Sequence, residues 1–247
     1  MAKKFILKLA DFLSLVWRII PFRLRRFIFT SLFIFESRDE SIKNGLSRIF
    51  YINERAIKYE NGIHPKHRLT NYHKFFIDRI KDGNTVLDVG CGNGVVALDI
   101  AFAKPHSLVI GIDINKKNIQ KAEKLKKLNN LKNINFTFGD ITKHKGFKSD
   151  VVLLSNILEH IEQREIFLKQ IIKKSEANIF LIRVPLFQRD WQLALRKELG
   201  IYYYSDYDHK IEHNVDELKN ELQKVNLRIK ELYTIWGEIW AECIYER

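Results

Sequence analysis

The chain has 247 residues, of which 46% are hydrophobic and 12% aromatic, and this composition excludes a disordered or fibrous protein and provides one substantial core. Its formal net charge of +12 favours acidic partners such as nucleic acid, anionic lipid headgroups or phosphorylated substrates. Cys91 and Cys243 are the only cysteines, which excludes a disulfide framework and favours a reducing compartment, the cytoplasm.

Residues 1–35 form a segment that is both apolar and cationic. Phenylalanine, leucine, isoleucine and tryptophan fill the spaces between its basic residues, and Asp11 is its only acid before Glu36. The longest uncharged stretch within one helix-like unit, residues 27–35, is too short for a membrane span, which needs about 20 residues. The basic residues are Lys3, Lys4, Lys8, Arg18, Arg23, Arg25 and Arg26.

Pro21 divides this segment, so the pattern predicts two amphipathic helices. Helices with an apolar face and a basic face bind anionic membrane surfaces, which favours a peripheral position on the inner face of the membrane. Two alternatives stay open: the apolar faces cover the rest of the chain as a lid, or they form a dimer contact. Nucleic-acid binding is less favoured, because the segment has few of the polar groups that position phosphates.

A glycine-rich loop follows the first predicted strand, in residues 86–94 (VLDVGCGNG). An apolar run containing Asp88 leads to glycines at alternate positions, Gly90, Gly92 and Gly94, and then to a helix pattern. Glycines permit positive φ and let a ligand contact the main chain. The G-x-G-x-x-G spacing of dinucleotide-binding folds is not present, because position 95 is valine.

This stretch resembles motif I of the class I S-adenosylmethionine-dependent methyltransferases. The resemblance implies that the loop, including Cys91 and Asn93, holds the methionine end and the ribose of the cofactor S-adenosyl-L-methionine. It implies that Asp88 lies near the ammonium group of the cofactor or orders the loop. The implied fold is α/β: a Rossmann-like seven-stranded, mostly parallel sheet with an antiparallel C-terminal hairpin, helices on both faces, and an N-terminal helical extension.

Two further acids follow predicted strands. Asp113 ends the strand pattern of residues 107–112, and a carboxylate there can accept both ribose hydroxyls, a role shared with dinucleotide-binding proteins. The resemblance adds the neighbouring Ile114 to the cofactor site. After the strand predicted over 134–138, it implies that Asp140 contacts the adenine amino group and that Ile141 lies beside the ring.

The fourth strand is predicted over residues 150–155 as a continuous apolar run, and Asn156 follows it as a candidate cofactor contact. The next segment, Leu158-Glu159-His160, resembles the family's sequence after strand four. His160 is the candidate general base, because it lies just beyond a strand at the carboxyl edge where ligands bind open α/β sheets. A structural histidine at the start of a helix is the alternative.

The helix predicted over residues 67–80 precedes the first strand. In this family that helix caps the cofactor pocket, so Arg68, Tyr72 and His73 are candidates for contacting the carboxylate of the cofactor or the acceptor. An aromatic residue at this place is more often part of a core.

After the fifth strand, residues 186–214 have no clean period and form an acceptor-side insertion rich in tyrosine. Its aromatic side chains either stack on an acceptor ring or build a small core beneath a loop. His209 and His213 lie four residues apart, which would suit metal ligands on a helical face beside Asp206 or Glu212. No convincing additional ligand follows, and no metal is expected.

Residues 227–234 and 238–245 predict the closing hairpin. The domain division is then an extension over 1–37 and a methyltransferase domain over 38–247.

The expected reaction is methyl transfer to a hydroxyl of a glycan or lipid-linked acceptor at the inner face of the membrane, because a cationic, apolar front end and an aromatic-rich insertion suit such an acceptor. In addition, residues 67–76 resemble sequences of surface-polysaccharide or lipid-linked glycan O-methyltransferases. Quinones or other small molecules, RNA, and cofactor binding without transfer are the alternatives.

Overall fold

The computed structural model describes residues 69–200 and 202–246, together with three isolated positions near the N-terminus. Contacts group the chain into two units, Met1–Lys58 with Glu198–Tyr202, and Tyr59–Lys197 with Tyr203–Arg247. All strands of the sheet belong to the second unit. The predicted extension, apart from the isolated positions, and the candidate Arg68 lie outside the described residues, so the division at residue 37 stays a prediction.

Seven strands of the described chain form one sheet. They are β1 (Thr85–Val89), β2 (Leu108–Asp113), β3 (Ile134–Phe138), β4 (Val151–Ser155), β5 (Ile179–Pro185), β6 (Leu227–Ile235) and β7 (Glu238–Tyr245). Their order in the sheet is β3-β2-β1-β4-β5-β7-β6. The strands β1 to β5 pair in parallel, whereas β7 runs antiparallel to both β5 and β6. This confirms the predicted Rossmann-like sheet with its C-terminal hairpin.

Helices cover both faces of the sheet. From residue 73 to 246 the α-helices are α1 (His73–Arg79), α2 (Val95–Ala103), α3 (Lys116–Leu128), α4 (Arg164–Ser175), α5 (Trp191–Glu198) and α6 (Val215–Gln223). Adjacent strand residues point to opposite faces, so Val86 packs in one apolar cluster with α1 and α2, and Leu87 in another with α4 and α6. Burial on both faces explains why the central parallel strands are continuous apolar runs in the sequence.

The helix predicted over residues 67–80 differs from the observed one. Asn71 has a left-handed backbone with φ of 49°, which interrupts the helical conformation, and α1 begins at His73. Asparagine is one of the few residues that adopt this conformation readily, so the amphipathic pattern continues past a real break.

The insertion over residues 186–214 contains the helix α5, which the sequence did not indicate. Only Leu193 and Arg196 of α5 are buried. One buried apolar residue gives no periodic stripe, which is why the pattern did not predict this helix. Among the helices within residues 69–200 and 202–246, none has both the length and the apolar character that a membrane crossing requires.

Candidate functional site

The glycine loop is attached to the end of β2. The backbone nitrogens of Gly90 and Cys91 donate to the carbonyl oxygen of Ile112, at 2.7 and 3.1 Å, and Gly94 N donates to Cys91 O at 2.9 Å. The loop thus leaves β1 at the carboxyl edge, where the strand order reverses between β1 and β4. Ligands of open α/β sheets bind at such a switch point.

The three loop glycines have positive φ values of 67°, 56° and 82°, but their surroundings differ. A Cβ atom on Gly90 would lie 2.1 Å from Ile157 Cδ1, and one on Gly94 would lie 2.6 Å from Phe136 Cζ. A Cβ atom on Gly92 would meet nothing within 4 Å. The sequence predicts that a ligand approaches all three glycines. In the structure, Gly90 and Gly94 leave room for side chains of the protein itself, and only Gly92 faces open space.

Asp113 connects the glycine loop to α3. Its Oδ2 accepts a hydrogen bond from Gly92 N at 2.8 Å, and its Oδ1 accepts one from Asn115 N at 2.6 Å. The carboxylate is therefore fixed by two backbone amides, and each oxygen keeps a lone pair for a ligand hydroxyl. The predicted ribose contact is compatible with this geometry, and ordering of the loop is a second role that the sequence did not assign to Asp113.

Asp88 is buried in β1, with 2% of its surface exposed. Burial, followed by repulsion from Asp113, raises the pKa of Asp88 to about 7. Its Oδ2 has no hydrogen-bond partner within the described chain. A buried carboxyl oxygen without a donor is suited to a cationic ligand group, in agreement with the predicted contact to an ammonium.

Asp140 and its neighbours occupy the end of β3. Asp140 Oδ1 accepts hydrogen bonds from Thr142 N and Oγ1 at 2.9 and 2.7 Å, and the bond from the Thr142 hydroxyl is the main cause that lowers the pKa of Asp140. Ile114 is exposed, whereas Ile141 is buried in the core cluster of the α4 face. The adenine contacts of Asp140, Ile141 and Ile114 stay predictions.

Other loop positions have distinct environments. Cys91 is buried, and burial raises the pKa of its thiol, so this cysteine is an unreactive packing group. Asn93 is half-buried. Asn156 has a left-handed backbone with φ of 56° and a buried Oδ1 that lacks a hydrogen-bond partner in the described residues, which suits a ligand contact at the end of β4.

His160 ends a short 3-10 helix, Leu158–His160, beyond β4. The segment meets the glycine loop through Ile157, which fills the space beside Gly90. His160 is half-buried, its Nδ1 lies 3.2 Å from Asp208 Oδ1, and burial lowers its pKa while Asp208 opposes this. The structure thus places the candidate base at the predicted edge, next to an acid from the insertion.

The interpretation of His209 and His213 as ligands on one helical face is wrong. Residues 206–213 are not helical, and the two histidines have separate partners. His209 Nδ1 is 2.9 Å from Glu212 Oε1, whereas the fully buried His213 has its Nε2 3.1 Å from Glu221 Oε2. The four-residue spacing brings histidines together only in a helix.

Tyr72 lies in a buried cluster beside the site. The Arg183 guanidinium lies 4.0 Å from the centroid of its ring and pairs through two nitrogens with Glu238. Burial raises the pKa of Tyr72 to about 12, so its hydroxyl is neutral. His73 Nδ1 is 2.5 Å from Asp99 Oδ2 of α2. The predicted contacts of Tyr72 and His73 with cofactor or acceptor stay predictions.

Glu159 is the residue whose importance sequence reasoning missed. Its side chain is fully buried, and burial raises its pKa to about 8. The signal in the sequence is an acid within the apolar segment after β4.

Two cavities of about 560 and 520 Å³ lie at the opposite, amino edge of the sheet, beside Ala177 and Thr85 respectively. Neither is lined by a candidate site residue.

Comparison with known proteins places this geometry in a family. A family model described as a methyltransferase domain matches residues 80–244, more than half of the chain. Among curated proteins, (S)-tetrahydroprotoberberine N-methyltransferase from Eschscholzia californica is 36% identical over 106 residues, 40% of this chain and 29% of that protein. Ubiquinone biosynthesis O-methyltransferase from Bartonella quintana is 27% identical over 158 residues, 62% of each chain. In both cases the chain covers less than two thirds of the relative.

Solved structures agree with the sheet topology. Magnesium protoporphyrin IX methyltransferase from Synechocystis PCC 6803, with bound S-adenosylhomocysteine, has a TM-score of 0.57 at 18% identity and covers 73% of this chain and 83% of that one. At this identity the likeness concerns the fold. The chain belongs to the class I S-adenosyl-L-methionine-dependent methyltransferase family, and S-adenosyl-L-methionine is the cofactor of that family.

Proposed function

We propose that this protein transfers the methyl group of S-adenosyl-L-methionine to a hydroxyl oxygen of an acceptor. The observation that carries the proposal is the position of Asp113, which fixes the glycine loop and the start of α3 through Gly92 and Asn115 at the switch point of the sheet. The relatives include an N- and an O-methyltransferase, so the choice of oxygen rests on the residues beyond β4.

The residues described here fit the cofactor. The space beside Gly92 is open, so a ligand can contact the main chain there. Asp88 offers a buried carboxyl oxygen for the ammonium group, and Asp113 keeps lone pairs for the ribose hydroxyls. Asp140 completes a row of acids along the carboxyl edge, with one acid each from β1, β2 and the end of β3.

The cofactor supplies an electrophilic methyl group bound to sulfur. In the proposed reaction the acceptor oxygen would take this methyl group, S-adenosylhomocysteine would be the leaving group, and the hydroxyl proton would pass to His160. The protein's contribution is to hold the reacting atoms in line and to exclude water. The loop from Gly90 to Gly94 and the three acids perform the first of these tasks.

We assign activation of the acceptor hydroxyl to His160. It lies beyond β4, next to the segment that packs on Gly90, and Asp208 orients its ring. We expect His160→Ala to lower kcat by about 10²- to 10⁴-fold, the usual effect of removing a group that handles a proton. The affinity for S-adenosylhomocysteine should be unchanged in this variant, whereas Asp113→Ala should lose that affinity.

For the acceptor we propose a glycan or lipid-linked molecule at the inner face of the membrane. The protein would then be a cytoplasmic enzyme of polysaccharide biosynthesis that binds peripherally to this membrane face. The charge of +12 and the basic, apolar residues 1–35 support this choice. The insertion adds exposed aromatic side chains, Trp191 at 72% and Tyr207 at 87%, which suit stacking on a sugar or quinone ring. A quinone or other small molecule is the second candidate, favoured by the relative named for ubiquinone biosynthesis.

The acceptor class can be tested by labelling. The protein is incubated with methyl-labelled cofactor and a lysate divided into lipid, glycan, RNA and protein fractions. We expect label in the glycan or lipid fraction, and none with Asp113→Ala. Label only in RNA or protein would overturn the acceptor proposal, and binding without transfer to any fraction would overturn the activity.

Membrane attachment has its own test. Flotation with anionic liposomes compares the full chain with a variant lacking residues 1–35. Equal flotation would remove the membrane proposal, and a dimer that dissociates on truncation would assign the segment to a subunit contact instead.

A further inference from the structure

Glu159 has a buried carboxyl group without a hydrogen-bond partner in the described chain. Its surface exposure is 0%, and neither carboxyl oxygen makes a hydrogen bond to a described residue. A buried polar group left unpaired costs about 1 to 3 kcal/mol, whether it is ionised or neutral. Such a group calls for an explanation, and a cation bound by the carboxylate is one of the few available.

Two histidines lie beside this carboxylate. One donor atom from each of Glu159, His160 and His209 can be chosen so that all three lie within 4.8 Å of one another. The rings of His160 and His209 are perpendicular, with centroids 4.7 Å apart. Because Zn²⁺ binds nitrogen and oxygen at about 2.0 to 2.2 Å, ligand atoms around one ion lie about 3 to 4 Å apart, so only a small contraction is needed.

The backbone holds His209 at this position. Lys210 N donates to the carbonyl oxygen of Glu159 at 2.7 Å, which attaches the loop of residues 206–210 to the 3-10 helix. The backbone hydrogen bond between the two segments therefore positions His209, the third candidate ligand.

A carboxylate at Nδ1 fixes the orientation of the His209 ring. Its Nδ1 lies 2.9 Å from Glu212 Oε1, and Glu212 is held by Arg189 at 2.9 Å and by Ser205 N at 2.6 Å. This leaves Nε2 as the nitrogen available to an ion. Metal-binding histidines commonly have such a carboxylate on the other ring nitrogen.

Exposed acids stand at the outer side of the cluster. Asp206 and Asp208 also have donor atoms within 4.8 Å of one on His209, and Asp208 Oδ1 lies 3.2 Å from His160 Nδ1. These carboxylates connect the buried donors to solvent and give an ion an access route and a further ligand.

We propose that Glu159, His160 and His209 bind a divalent transition-metal ion, with Asp208 as the outer ligand. Two imidazoles with carboxylates favour Zn²⁺, Mn²⁺, Fe²⁺ or Co²⁺, whereas Mg²⁺ and Ca²⁺ prefer sites made of oxygen alone. The inference goes beyond the proposed function and departs from the sequence-based expectation of no metal. It gives His160 a ligand role, in which its effect on an acceptor hydroxyl is exerted through the ion.

Metal binding is tested on the full chain without any acceptor. The protein is treated with EDTA, dialysed, and titrated with Zn²⁺ by calorimetry and with Co²⁺ by visible absorption. We expect one tightly bound ion per chain and Co²⁺ bands typical of nitrogen ligation. Excess Mg²⁺ should not displace Co²⁺, and displacement at equal concentrations would overturn the assignment to a transition metal.

Variants locate the ion. We expect Glu159→Gln and His209→Ala to weaken Zn²⁺ binding by at least about 100-fold, and Glu212→Gln, which acts through His209, by about 10- to 100-fold. The matched control His106→Gln removes an exposed histidine elsewhere and should leave this binding unchanged. Circular dichroism and S-adenosylhomocysteine affinity establish that each variant is folded.

Equal Zn²⁺ affinity in folded Glu159→Gln, His209→Ala and the control would overturn the proposal. Because the readout is metal binding, failure of this proposal is distinct from failure of the proposed function: a folded protein that transfers methyl groups but binds no ion refutes only the metal site, and a metal-binding protein without transfer refutes only the reaction.

Discussion

Ile157 fills the space where a side chain on Gly90 would lie, with its Cδ1 atom 2.1 Å from the position of a Cβ atom. This contact joins the cofactor loop after β1 to the segment after β4. The two parts of the site that the sequence indicated separately are thus one packed unit. The proposed cofactor site and the proposed metal site meet at this unit.

The Gly90 contact predicts that Gly90→Ala is more damaging to stability than Gly92→Ala. Both alanines would adopt a left-handed φ, which costs about 1 to 2 kcal/mol, but only the one at Gly90 overlaps Ile157, which adds about 1 to 3 kcal/mol. Urea unfolding measures both. The double variant with Ile157→Ala should recover part of the loss, and equal effects of the two single variants would contradict the packing argument.

Gly92→Ala should act on the cofactor instead. A methyl group there meets no protein atom within 4 Å, so it projects into the space assigned to the ligand. We expect a folded protein that has lost measurable affinity for S-adenosylhomocysteine in calorimetry. Unchanged affinity would show that the cofactor does not approach the loop at Gly92.

Asp113→Asn should weaken cofactor binding by about 10- to 100-fold. The substitution leaves one of the two backbone donors, Gly92 N or Asn115 N, facing an amide NH2 with no acceptor, and the other with a neutral acceptor. Hydrogen bonds to charged groups contribute about 1.5 to 3 kcal/mol. Calorimetric titration with S-adenosylhomocysteine measures the change. Asp216→Asn, an exposed acid in the first turn of α6, is the control, and equal loss in both would exclude a specific role.

The raised pKa of Asp88 predicts that the free energy of unfolding falls as the pH rises. Its folded pKa, about 7, lies above the ordinary value of 3.8, because burial and Asp113 disfavour the charged form. The stabilising contribution is therefore fully present below about pH 4 and is lost as the pH rises through 7. Relative to wild type, Asp88→Asn should be more stable at pH 8 than at pH 5 by up to about 2.7 kcal/mol, because about two pH units of the pKa shift lie above pH 5. Thermal unfolding of both proteins at both pH values measures this, and an equal stability difference between Asp88→Asn and wild type at pH 5 and pH 8 would contradict it.

The pair of Arg183 and Glu238 predicts a strong effect of removing one partner. Arg183 is 2% exposed, and Glu238→Gln leaves its charge without an acceptor of opposite sign, which costs about 3 to 5 kcal/mol. The exposed pair of Arg228 and Glu246 is the control, and Glu246→Gln should change unfolding little. Replacing Arg183 and Glu238 together with methionine and leucine should be less damaging than Glu238→Gln alone.

The sequence located the sheet and the cofactor loop well because both depend on local patterns. Apolar runs that contain or adjoin acids predicted β1 to β4, and alternate glycines predicted the turn. Left-handed Asn71 and the narrow apolar face of α5 gave no such signal, and these are the places where the predicted elements were wrong or missing.

The amino-acid sequence by itself determined the family, the order of the strands along the chain and the acids at their ends, since each is written in a contiguous motif. The tertiary structure decided which glycine faces a ligand and which faces Ile157 or Phe136. It also decided that Glu159 shares its surroundings with His160 and His209, because that grouping depends on a loop distant in sequence docking on the end of β4. Residue spacing along the chain determines local geometry such as turns and strand ends. The neighbours of a buried ionisable group are determined only when separate segments pack together.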